Sequence, residues 1–272
     1  MAKVKKERAD KLLVEKGLAE SREKAQALIM AGFVYADGKK VSKPGEKIPQ
    51  EAKLEVKGQM KYVSRGGYKL EKALKSFNLS VKNFVCLDIG ASTGGFTDCL
   101  LQHGAEKVYA VDVGTGQLDY RLRKDPRVIS YEKTDARSLT NEHIPEKVDL
   151  ITVDVSFIPL EKVLPKAVEF LKDNGLVVAL VKPQFELSPK EVKKGVVKDI
   201  QDRKRAVEKV ARFVTEELKL SVLDVTKSSP KGPKGNEEFL LLLRKDGKGT
   251  LPEDWNERLQ RALNEEVSPE PF

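Results

Sequence analysis

Apolar and polar positions along this chain switch between two periods, and the switching outlines its architecture. Over residues 7–16, Arg8, Ala9, Leu12 and Leu13 fall at helical spacing, and Gly17 ends the run. Ser21 suits the N-cap of a second helix whose Ala25, Leu28 and Ile29 form one apolar face before Gly32. Phe33-Val34-Tyr35, an Asp37-Gly38 turn, Val41, a Pro44-Gly45 break and Lys53-Leu54-Glu55-Val56 follow with strand character. Two short helices and a few short strands thus predict a small α+β module over residues 1–57. The aperiodic stretch 58–64 reads as a linker.

Ser64-Arg65-Gly66-Gly67-Tyr68-Lys69-Leu70 then leads into an amphipathic helix with Leu70, Ala73, Leu74 and Phe77 inward. The two glycines before it mark a place where backbone comes close to something. Beyond it lie five short apolar runs without helical periodicity, each reading as a buried strand. They are Phe84 to Ile89, Lys107 to Val111 before Asp112, Val128 to Tyr131 before Asp135, Val148 to Val153 before Asp154, and Leu176 to Val181 before Lys182. Helical segments at about 159–172 and 200–219 follow, and Val222 to Val225 and Phe239 to Leu243 supply two last strands. Such alternation predicts an α/β fold over residues 65–246, with a mostly parallel, doubly wound sheet whose ligands sit beyond the carboxyl ends of the strands. Residues 247–272 read as a polar tail with one short helix around Trp255 to Leu263.

Charge changes this picture by being local. Residues 1–65 hold 16 Lys and Arg against 9 Asp and Glu, a surplus of 7, whereas the whole chain carries +8. A basic module joined to a near-neutral domain suggests that the first grips a polyanion and the second does something else, although lysine-rich surfaces also serve solubility. Two cysteines, Cys86 and Cys99, make neither a disulfide framework nor a metal cluster, and no metal is expected. The longest apolar runs fall far short of the roughly 20 residues that cross a bilayer. The charged start has no apolar segment behind it, so the expected location is cytoplasmic, with no membrane partner.

The candidate chemistry begins at Asp88-Ile89-Gly90-Ala91-Ser92-Thr93-Gly94-Gly95-Phe96-Thr97, a strand end, a glycine loop and a helix start. Neither the G-x-G-x-x-G of dinucleotide sites nor the Gly-Lys-Ser/Thr ending of a phosphate loop is present. A tight strand-to-helix turn in any α/β protein could also use these glycines. The stretch resembles the first motif of class I S-adenosylmethionine (SAM) methyltransferases. That implies a Rossmann-like sheet with an antiparallel last strand, SAM as cofactor, and Asp88, Gly90, Ser92, Gly94, Gly95 and Phe96 around its methionine part. An acid after the second strand can accept both ribose hydroxyls of a nucleoside, which suits Asp112, and in the same fold Asp135 would meet the adenine amino group.

The acceptor is decided near the fourth strand. Base-amine methylation usually goes with Asn/Asp-Pro-Pro-aromatic, where this chain has Asp154-Val155-Ser156-Phe157, and carbon-5 methylation needs a nucleophilic cysteine, whereas Cys86 and Cys99 lie inside a strand and a helix. A hydroxyl acceptor instead calls for a lysine among carboxylates. Lys69, Asp154, Lys182 and Glu238 come in the order Lys-Asp-Lys-Glu, which resembles the tetrad of FtsJ-type RNA 2'-O-methyltransferases. The resemblance implies that Lys182 abstracts the 2'-hydroxyl proton, that Asp154 positions it, and that Lys69 and Glu238 hold the ribose.

The first module, through Arg8-Ala9-Asp10-x-x-Leu13-Val14-x-x-Gly17-x-x-x-Ser21-Arg22-x-x-Ala25-x-x-Leu28-Ile29-x-x-Gly32-x-Val34, looks like an S4 RNA-binding domain. That implies RNA contacts from Arg8, Lys11, Ser21, Arg22 and Lys24. An S4 module ahead of an FtsJ-like domain resembles the TlyA family, also called hemolysin A, whose members are rRNA cytidine-2'-O-methyltransferases. Ala91-Ser92-Thr93 departs from the Ala-Pro-Gly common in FtsJ itself. The implied partner is rRNA in ribosomal subunits, with no DNA and no obligate protein partner. The competing readings are a non-catalytic S4-type RNA-binding or assembly factor and, from the hemolysin label, a membrane-active protein.

Overall fold

The computed structural model describes residues 4–267, which divide into two compact units at Arg65 and Gly66. In the first unit, β1 (Lys6–Arg8) leads directly into α1 (Ala9–Glu15), and α2 (Arg22–Met30) follows. Four short strands complete it: β2 (Val34–Ala36), β3 (Lys39–Lys40), β4 (Lys47–Pro49) and β5 (Leu54–Val56). Ser21 caps α2, its side chain accepting from the Lys24 N–H, as the sequence suggests. Arg8 differs from expectation: it ends β1 and stands before the first helical turn. Strands β1 and β4, antiparallel to each other, are three residues long, too short to show an alternation. Asp37 and Gly38, both with positive φ, turn β2 tightly into β3, while Ala9, Leu12, Leu13, Ala25, Ile29 and Val34 form the unit's own core.

The second unit opens with α3 (Gly66–Ser76), so the two glycines lie inside the first helical turn instead of ahead of it. Gly67, Leu70, Ala73 and Leu74 are buried, and this packing outweighs the poor helix propensity of glycine; Phe77 falls just past the helix end, half-buried. There follow β6 (Val85–Ile89), α4 (Gly95–Gln102), β7 (Lys107–Val111), α5 (Tyr120–Arg123), β8 (Val128–Tyr131) and β9 (Val148–Val153). The second half runs α6 (Leu160–Ala167), β10 (Leu171–Val181), α7 (Pro183–Glu186), α8 (Ile200–Glu216), β11 (Ser221–Lys227), β12 (Phe239–Arg244) and α9 (Trp255–Asn264). The helix expected to reach residue 172 stops earlier because Leu171 already pairs with Val148, after which β10 shifts register and resumes at Leu176.

All seven strands of this unit form one sheet in the order β11-β12-β10-β9-β6-β7-β8. β6 to β10 run parallel, and β12 lies antiparallel between β10 and β11. This is the doubly wound class I arrangement, and the order reverses at β6, where a parallel sheet opens a crevice for a ligand. The segment expected to be a polar tail contributes to the core, since Trp255, Leu259, Ala262 and Leu263 of α9 join the main hydrophobic cluster. Among the described residues, no helix is long and apolar enough to cross a membrane.

Because Leu259 is fully buried in that cluster, Leu259→Ala is expected to destabilise the second unit by about 2–5 kcal/mol. Denaturant unfolding of the full chain checks this, and a loss under 1 kcal/mol would show that α9 is peripheral to the core.

Candidate active site

The cleft at the carboxyl ends of the parallel strands has a volume of about 600 Å³, and its walls include Gly90, Ser92, Asp112, Asp135, Asp154 and Phe157. Gly90 has φ 79°, and a Cβ there would stand 2.0 Å from the carbonyl oxygen of Asp154, so only glycine lets the ends of β6 and β9 meet. Gly94 is the left-handed N-cap of α4, packed against Leu122 and Leu118. Gly95 and the buried Phe96 begin α4 itself and, like Gly94, are not part of the cleft wall. They shape the loop from behind the cleft wall.

Asp88 also departs from the expected role. It is fully buried, with Thr97 Oγ1 donating to Oδ2 at 2.7 Å and Thr152 Oγ1 donating to Oδ1 at 3.0 Å. Burial pushes its carboxyl up to about 7 against the two hydroxyl donors, with the nearby Asp154 and Asp112 charges adding to the rise. Asp88 thus ties β6 to α4 and β9 beneath the loop.

Asp112 and Asp135 do reach the cleft. Asp112 accepts from Ser92 N–H at 2.6 Å through Oδ2 and from Gly114 N–H at 2.8 Å through Oδ1, which fixes the carboxylate while each oxygen keeps a second lone pair. Asp135 is gripped by Arg137, whose Nη2 donates at 2.6 Å, and this guanidinium holds the carboxyl below its ordinary value. Tight backbone at Gly90 and two oriented acceptors beyond it fit a nucleoside ligand bearing hydroxyl and amine donors, and SAM is of that class.

The four residues of the expected tetrad form two ion pairs. Lys182 Nζ lies 2.6 Å from Asp154 Oδ1 and donates to Ser156 Oγ at 3.0 Å. Lys69 Nζ donates to Oε1 of the fully buried Glu238 at 2.8 Å, and Gln184 Nε2 donates to Oε2 of the same carboxylate at 2.9 Å. Phe157 has φ 64° and 89% exposure, its ring 4.8 Å from that of Phe185, which in turn lies 5.9 Å from Lys182 Nζ. A phenylalanine this exposed is informative where a buried one is not.

In the first unit, two of the expected RNA-contacting side chains, Arg8 and Arg22, are gathered on one buried acid. Asp10 receives Arg8 through Nε at 3.0 Å and Nη2 at 2.9 Å, Arg22 through Nη2 at 3.3 Å, and Gln26 through Nε2 at 2.9 Å. The Arg8 guanidinium, more than any other neighbour, holds the Asp10 carboxyl far below the usual range. Lys11 reaches Glu7 at 2.7 Å and Lys24 reaches Glu20 at 2.6 Å, while Ser21 is engaged as the cap of α2. Sequence reasoning named the basic residues but not the acid that fixes two of them.

Residues 62–245 match the FtsJ-like methyltransferase family and residues 7–53 match the S4 domain. The chain is 47% identical to YqxC of Bacillus subtilis, across 96% of this chain and 94% of that one. It is 47% identical to the 16S/23S rRNA (cytidine-2'-O)-methyltransferase TlyA of Mycobacterium tuberculosis, across 87% of this chain and 89% of the relative. The chain belongs to the TlyA family of FtsJ-like methyltransferases. A solved structure from Streptococcus thermophilus, 43% identical, superposes on this TlyA-family chain with a TM-score of 0.75 and covers 96% of each.

For this TlyA-family enzyme, the sequence missed Ser156, Phe157, Gln184, Phe185 and Glu186. Glu186 is buried, its Oε1 accepting from the Leu160 N–H at the start of α6 at 2.9 Å, and burial pushes its carboxyl up to about 7. The only sequence signal for these residues was their closeness to two strand ends.

An acid raised in the folded state stabilises below its unfolded pKa near 4, and that contribution is lost as pH rises through about 7. Asp88→Asn removes this loss. Relative to the wild type, the variant is expected to gain about 3 kcal/mol between pH 5 and pH 8, measured by denaturant unfolding at each pH. A constant difference would mean that Asp88 is ionised throughout.

Proposed function

We propose that this enzyme transfers a methyl group to the 2'-hydroxyl of a cytidine in rRNA, with the S4 unit gripping the RNA. The observation that carries the reading is Lys182 held on Asp154 and Ser156, two residues of the cleft wall. A ribose hydroxyl is a weak nucleophile until its proton is taken, and an amine braced by a carboxylate at a strand end is suited to take it. The relatives' names support rRNA and the cytidine ribose as substrate.

When bound, SAM supplies an electrophilic methyl group on a sulfonium. Asp112 and Asp135 would hold its ribose hydroxyls and adenine amine, and Gly90 and Ser92 would lie along its methionine part. Lys182 Nζ, in its neutral form, takes the 2'-hydroxyl proton, and Asp154 with Ser156 Oγ holds the ammonium that results. Lys69, fixed by Glu238, steadies the acceptor ribose. Phe157 offers its exposed ring for a splayed base to stack on. Most of the rate then comes from placing an oxygen in line with the methyl group. In the S4 unit, Arg8 and Arg22 present guanidinium groups already oriented by Asp10, which suits phosphate oxygens.

Incubation with labelled SAM and unmodified ribosomal subunits, followed by nucleoside analysis, is expected to yield 2'-O-methylcytidine. Lys182→Ala is expected to lower transfer by about 10²- to 10⁴-fold while leaving RNA affinity within about twofold. A methylated base would overturn the tetrad assignment. No transfer to any RNA would favour a binding or assembly factor.

A further inference from the structure

The turn after Lys182 holds a buried amide that the reaction as described does not use. Gln184 Nε2 donates to Glu238 Oε2, and Lys69 Nζ occupies Oε1 of the same group. An ionised carboxylate only accepts, so the NH2 end of Gln184 must face it. The other end, Oε1, is buried and has no hydrogen-bond partner among the described residues. On a third side, Glu238 lies against Gly232, where a Cβ would stand 2.3 Å from Oε2.

A residue needed only to fill this space would be leucine or methionine, which leaves no buried carbonyl oxygen unpaired. Glutamine is suited to the place by its donor. With one oxygen bound by Lys69 and the other by Gln184, the Glu238 carboxylate cannot turn about its last bond. Its plane determines where the Lys69 ammonium sits.

We propose that Gln184 is a positioning residue for the methyl transfer, acting through Glu238 to set Lys69 against the acceptor ribose. Gln184 lies two residues after Lys182 in the chain, so a single turn carries the proton acceptor and aligns the second lysine. This rests on the ribose-methylating reading for the reaction, but the clamp on Glu238 stands on its own geometry.

Three variants of the full chain test it, each with its melting temperature recorded. Gln184→Met fills the volume without the donor and is expected to lower kcat by about 10- to 100-fold, with KM for rRNA within about threefold. Gln184→Ala is expected to lose as much. Gln184→Glu can donate to Glu238 only while protonated and repels it once ionised. Its kcat relative to wild type is therefore expected to fall as pH rises from 6 to 9. Wild-type rate in Gln184→Met would make the residue mere packing, and a Gln184→Glu profile parallel to wild type would remove the donor argument; either overturns the proposal.

A further readout needs no turnover. The 15N side-chain amide of Gln184 is expected to be protected from hydrogen exchange in the wild type and to exchange freely in Glu238→Ala. Exchange in the wild type as fast as at surface glutamines would refute the clamp. Protection together with a methylated base, or with no transfer at all, would instead leave the clamp standing and sink the ribose reading alone.

Discussion

Where β6 and β9 end, their backbones touch. The Asp154 N–H donates to the Ile89 carbonyl at 3.0 Å, and Gly90 lies against the Asp154 carbonyl with no room for a side chain. On the other side, the Gly90 N–H donates to the Val111 carbonyl at 2.9 Å, so the start of the loop is pinned between two neighbouring strands. This approach brings the cleft and the Lys182 and Asp154 pair to the same strand ends. Gly90, just past the end of β6, lines the cleft, and the residue whose carbonyl it touches bears the carboxylate that holds Lys182. A side chain at position 90 would drive the two apart before any chemistry was affected.

From Lys182 to Glu186, five consecutive residues gather what the strand ends present. Lys182 meets Asp154 and Ser156, Gln184 meets Glu238, Phe185 meets Phe157, and Glu186 holds the start of α6. Pro183 fits because it occupies the first position of α7, where a missing N–H leaves no bond unmade. A four-residue helix has little stability of its own. Here it is held by its side-chain partners, and their geometry in turn depends on it.

Much of the second unit was legible because buried parallel strands are short apolar runs ending in charge, and each such run became a strand. The cleft residues Asp112 and Asp135 were legible for the same reason. Asp88 was not: a strand-end acid looks alike in sequence whether it faces a ligand or two threonines, and only the paths of α4 and β9 decide. Gln184 and Glu186 escaped because their partners lie 54 and 26 residues away and a turn has no period to read. Lys69 and Glu238 were assigned by family resemblance, not by any local pattern. In the first unit, the basic residues stood out while Asp10 stood in the S4-like motif with no role assigned to it.

Asp88 has a consequence for the floor of the loop. An ionised carboxylate accepts from both Thr97 and Thr152, whereas a protonated one must itself give a hydrogen away. Each gain of a proton therefore obliges one threonine hydroxyl to swing round and offer a lone pair. Because burial holds this carboxyl well above the ordinary aspartate range, that reversal comes nearer to neutrality than it would at a surface aspartate, and the ground under the glycines has two alternative hydrogen patterns.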